Sequence, residues 1–113
     1  MKTVDVLGTN YLVMSQNKTQ NPKLRDADGL CELYTKQIIL DNSWDERTDE
    51  HNFDNMESYY HKVLRHEALH ALFYEAGLSK YTNDEDLIDA IAILYPKMRD
   101  LLDSMDLMYI DDI

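Results

Sequence analysis

The chain has 113 residues, with 22 acidic against 11 basic side chains and a formal net charge of −11. That length accommodates one modest domain, and that charge argues against direct binding to phosphate backbones. Its apolar runs are much shorter than a membrane span.

Residues 1–41 read as strands and a loop. The N-terminal Met1-Lys2-Thr3-Val4-Asp5-Val6 lacks the long apolar core of a signal peptide. Val4 and Val6, then Tyr11 and Val13, alternate with polar neighbours, which predicts two short strands around a turn at Gly8-Thr9-Asn10. Ser15 to Gly29 is polar, with turn signals at Asn21-Pro22 and Asp26-Ala27-Asp28-Gly29, and is expected as a surface loop. Leu30 to Leu40 is the next strand candidate. The single cysteine, Cys31, lies within it and reads as a small strand residue. A lone cysteine fits a reducing compartment, so a cytoplasmic location is expected.

Residues 42–55 form a polar, acidic connection, with Trp44 expected to fold back onto the core. A helix is predicted over 56–77. Asp54 and Glu57 have capping-box spacing before it, and Gly77 suits a left-handed C-terminal stop. Tyr59, Val63, His66, His70 and Phe73 recur at helical intervals, and Tyr60, Leu64, Ala68, Ala71 and Leu72 give a second apolar side. Residues 83–105 form a C-terminal helical region, with Thr82 and Glu85 again spaced as a capping box. Leu87, Ile91, Leu94, Met98, Leu101 and Met105 make its apolar stripe. Pro96 is expected to divide or kink it, and the acidic tail from Asp106 to fray. Strands followed by helices predict a small α+β layer structure in a single domain, 1–113.

The chemistry lies in the first helix. His66-Glu67-Ala68-Leu69-His70 reads H-E-x-x-H. Residues four apart share a helix face, so His66 and His70 can bind one metal ion. Glu67, one position on, stands beside that ion as a general base. This is the arrangement of zinc-dependent hydrolysis. A catalytic zinc takes three protein ligands and keeps one open position. Candidates for the third are His61, Glu75, Asp84, Glu85, Asp86 and Asp89. Glu75 and His61 are each five residues from a motif histidine and point elsewhere. The first turn of the next helix is better placed, because a helical hairpin over Gly77–Tyr81 returns it beside His70.

His66-Glu67-Ala68-Leu69-His70-Ala71, then Gly77-Leu78, then Asp84-Glu85-Asp86-Leu87-Ile88-Asp89 resembles small phage and prophage zincin-like metallopeptidases of the ImmA/IrrE-like branch of the gluzincins. The resemblance covers about residues 60–96. It implies a minimal zincin fold, with a short sheet packed on the motif helix, and it implies Glu85 as the glutamate completing the zinc site. Asp84 and Asp86 stand close enough to compete for that role.

The expected activity is peptide-bond hydrolysis. His66, His70 and Glu85 would hold zinc and Glu67 would act as the base on a metal-activated water. Tyr74 and Tyr81 flank the loop after the motif and are candidate oxyanion donors. The expected partner is a protein or peptide, lying extended along the edge offered by Leu30 to Leu40; neither nucleic acid nor membrane is expected. Two other functions fit the same residues. One is a non-catalytic acidic inhibitor or adaptor of a mobile element, covering a basic protein surface. The other is a zinc-stabilised structural module without turnover.

Overall fold

A computed structural model describes residues 1–43 and 55–105. Trp44, Asp54 and the tail from Asp106 lie outside the described residues. Over the described residues the architecture is α+β, a four-stranded mixed sheet and three helices. Strands β1 (Lys2–Val6), β2 (Thr9–Gln16), β3 (Gly29–Glu32) and β4 (Gln37–Asp41) lie in the order β1-β2-β4-β3. β1 and β2 are antiparallel, β2 and β4 parallel, and β3 and β4 antiparallel.

The first hairpin turns one residue earlier than the sequence suggests. Val6 pairs with Thr9, leaving Leu7 and Gly8 as a two-residue loop with φ of 51° and 93°. Two successive left-handed residues match the twist of a tight hairpin. Gly8 N–H donates to Asp5 Oδ1, which closes the turn.

The polar stretch from Ser15 to Gly29 is more than a surface loop: β2 runs on to Gln16, and a 3-10 turn at Pro22–Asp26 buries Leu24 completely. Asn21 caps that turn by accepting from Lys23 N–H. Leu30 to Leu40 is not one strand. The chain reverses between Glu32 and Gln37, with Lys36 left-handed at φ 58°, so Cys31 comes to face Ile38. This reversal leaves β3 at an edge of the sheet.

Helix α1 (Met56–Glu75) starts at Asn55, whose side chain accepts from Ser58 N–H. It ends in a left-handed Gly77 at φ 77°, with Gly77 N–H donating to Tyr74 O and Leu78 N–H to Phe73 O. Those two bonds form a Schellman stop. Met56, Tyr60, Val63, Glu67 and Ala71 are the buried column of α1. Tyr11, Ile38 and Ala71 form one core cluster, and Met56, Tyr60 and Val63 another with Leu40 packed on it. Ala68 and Leu72, expected on an apolar side, are exposed.

A short helix α2 (Ser79–Thr82) leads into α3 (Glu85–Ser104). The cap of α3 is Asp84, accepting from Leu87 N–H, and not Thr82. α1 lies between the sheet and α3, packing on both. Pro96 neither divides α3 nor ends it. Proline has no N–H for the carbonyl four residues back, which here belongs to the buried Ala92. Arg65 of α1 donates its Nε–H to Ala92 O at 2.7 Å and satisfies that carbonyl from outside the helix. Among the described residues no helix is long and apolar enough to cross a membrane.

Candidate metal centre

His66 and His70 stand one turn apart on α1, at the border between its sheet-facing column and α3. Each is largely buried, with 15% and 12% of its side chain exposed. Their Nε2 atoms lie 3.2 Å apart. Glu85, in the first turn of α3, places Oε2 2.9 Å from His66 Nε2 and Oε1 3.0 Å from His70 Nε2. The turn at Gly77 and the short α2 bring that carboxylate back over α1.

The partners of the other ring nitrogens favour one tautomer for each ring. His66 Nδ1 is 3.0 Å from Asp89 Oδ1, which also accepts from Lys62 Nζ at 3.1 Å. Burial opposes ionisation of Asp89, but hydrogen bonds from Lys62 and His66, with their charges, hold its carboxyl below the ordinary value. An ionised carboxylate only accepts, so His66 Nδ1 carries a proton. Thr82 donates its hydroxyl to His70 O at 3.1 Å, and its oxygen then accepts from His70 Nδ1–H at 3.0 Å. In neutral imidazoles both Nε2 atoms are therefore lone pairs. They converge with a carboxylate, and the mutual repulsion of three such acceptors is offset by a shared cation, either a metal ion or a proton on one imidazole. Zinc bonds of about 2.0 Å in a tetrahedron put ligand atoms about 3.3 Å apart, close to the separations here. The donor set and its spacing fit that ion.

Glu67 takes no part in this triad. It is buried at 8% exposure, in the sheet-facing column between Val63 and Ala71. Burial pushes its carboxyl up to about 7, against the opposing charge of His66 and with the help of Glu85. β3 crosses close by. A Cβ on Gly29 would lie 2.8 Å from Val63 Cγ1 and 3.1 Å from Glu67 Cγ, so only glycine permits this approach. Between β3 and the helices opens a cleft of about 340 Å³, lined by Gly29, Cys31, His66, Glu67, His70 and Glu85 among others.

The remaining candidates fall elsewhere. Asp84 is engaged as the α3 cap, which frees Glu85 from that role. Asp86 is exposed, as is His61. Glu75 bonds Thr9, Tyr11 and Lys36 at the far end of α1. The tyrosines suggested as oxyanion donors are not in the cleft lining. Tyr74 stacks under Lys36 Nζ, 4.8 Å from its ring centre. Tyr81 is 45% exposed, because Thr82 next to it takes the inward-facing position of α2. Thr82, the partner of His70, and Asn83, a cleft-lining amide, carry no sequence signal for these positions. Asp89, a ligand candidate by sequence, instead holds His66 Nδ1. Asp89 follows Glu85 by four residues, a spacing that signals a shared face.

No family model, curated protein or solved structure matches the chain.

Proposed function

We propose that the chain is a zinc-dependent peptidase acting in the cytoplasm, with His66, His70 and Glu85 as ligands and Glu67 as general base. The observation that carries this reading is the convergence of two imidazole nitrogens and one carboxylate beside a buried carboxyl in an open cleft. Among the described residues three protein donors converge, the number found in catalytic zinc sites, where the fourth position takes water and substrate. Bound zinc supplies acidified water and a Lewis acid for a carbonyl.

The chain's own residues do the rest. Asp89 and Thr82 hold the imidazoles with Nε2 inward. Glu67 accepts a proton from the attacking water and passes it to the leaving amine. Its burial raises its basicity toward neutrality, and a bound dication draws that value back down. The β3 edge borders the cleft and can pair with an extended peptide. The phage-type lineage rests on sequence resemblance.

Purified protein should hold one zinc per chain, measured by elemental analysis after dialysis. His66→Ala or His70→Ala should lose most of it, and Glu85→Gln should weaken binding more than Asp84→Asn or Asp86→Asn. Unchanged zinc content in both histidine variants would overturn the reading in favour of an acidic binding protein. Glu67→Gln should keep zinc while peptide hydrolysis falls by about 10²–10⁴-fold. Equal biological activity of zinc-loaded wild type and Glu67→Gln would leave a structural zinc module.

A further inference from the structure

The distal half of α3 takes no part in the cleft. Ala92 is its last buried residue. Beyond it Leu94, Met98, Leu101 and Met105 are 47–57% exposed. With Leu87 and Ile91 they follow a strict four-three alternation. That spacing, 3.5 residues on average, is the signature of a helical seam that pairs with another helix.

The charge pattern agrees. At about 100° per residue, this stripe and its neighbours Ala90, Tyr95 and Leu102 cover about 140° of the helix without a charged side chain. Asp86, Asp89, Asp100 and Asp103 all fall outside that sector. In a chain with net charge −11, two copies meet strong repulsion over most of their surfaces, and this sector is where acid has been withdrawn. It also offers no charge by which to select a basic partner. The first half of α3 is anchored on α1 through Ile88, Ala92 and the Arg65 bond, so the seam is ordered before any association. From Leu87 to Met105 it runs about 27 Å, long enough to form the apolar centre of an interface of about 800 Å² per partner.

We propose that this face is a self-association surface: two copies pair α3 against α3 about a two-fold axis, burying Leu94, Met98 and Leu101 in an isologous contact. The proposal does not depend on the metal reading.

Sedimentation of the full chain between about 1 and 100 µM tests it, in the micromolar range where a contact of this size is measurable. Wild type should pass from monomer to dimer mass. Leu94→Asp with Leu101→Asp should weaken dimerisation at least tenfold while circular dichroism stays unchanged. If that pair of substitutions perturbs folding, Met98→Cys in a Cys31→Ser background supplies a second test, in which mild oxidation should link two chains through position 98. A wild type that stays monomeric to 100 µM overturns the proposal and leaves the face to a different protein. So does a dimer that survives the double substitution and gives no cross-link at position 98.

Discussion

Thr82 shows how much of the candidate site depends on single atoms outside the ligand set. Its hydroxyl both accepts from His70 Nδ1–H and donates to His70 O, tying α2 to α1 and fixing the ring. Thr82→Val keeps the shape and removes both bonds. Loss of such a supporting partner costs about 10–100-fold in metal affinity, and competition against a chromophoric chelator should show it. Thr82→Ser should recover most of the loss; a Val variant binding as tightly as wild type would count against this role. Gly29 acts by lacking a side chain. Gly29→Ala forces a methyl against Val63 and Glu67, an overpacking that costs about 1–3 kcal/mol. Denaturant unfolding should show that cost, and Val63→Ala should relieve part of it when combined. If the two changes add without relief, the contact is not the cause. These residues differ in how visible they are beforehand. His66, Glu67 and His70 declare themselves because their geometry lies within one helix turn. Thr82 is masked by a capping-box spacing that the structure assigns to Asp84 instead. Gly29 reads locally only as a turn residue, because the side chains that require it, Val63 and Glu67, are over thirty residues away.

At the scale of elements, the helices are more legible in the sequence than the strands. α1 and α3 carry their periodicity within themselves, and α1 its stop signal at Gly77, whereas the β3–β4 reversal depends on which strands meet. Leu30 to Leu40 contains no glycine or proline to mark the turn; Lys36 supplies the left-handed residue instead. Pro96 misleads for a related reason. A proline breaks a helix when the carbonyl it abandons stays unpaired, and here the rescuer comes from another element. Arg65→Met should therefore destabilise the fold by about 1–3 kcal/mol, the cost of a buried carbonyl left without a donor. In a Pro96→Ala background the restored N–H serves Ala92 O from within the helix, so the same Arg65 change should cost markedly less. A double-mutant cycle by chemical denaturation measures this coupling. Equal costs in both backgrounds would show that Arg65 stabilises by other contacts.

At the scale of the whole molecule, Glu75 joins the end of α1 to both hairpins. It accepts from Thr9 and Tyr11 of the β1–β2 pair and from Lys36 in the β3–β4 turn, with 12% of its side chain exposed. Hydrogen bonds from Lys36 and Tyr11, against the cost of burial, hold its carboxyl near 2 instead of 4.5. A carboxylate depressed on folding stabilises fully above its unfolded value, and that contribution disappears as pH falls through the folded one. The Glu75 contribution should thus be complete at neutral pH, decline as pH falls below about 5 and vanish only below about 2. Other acids titrate over the same range, so the informative quantity is the difference between wild type and Glu75→Gln. Urea unfolding at several pH values should give a large difference at pH 6 that shrinks steadily between pH 5 and 2. A difference that is constant across that range would mean the three contacts act through shape and not through the charge of Glu75.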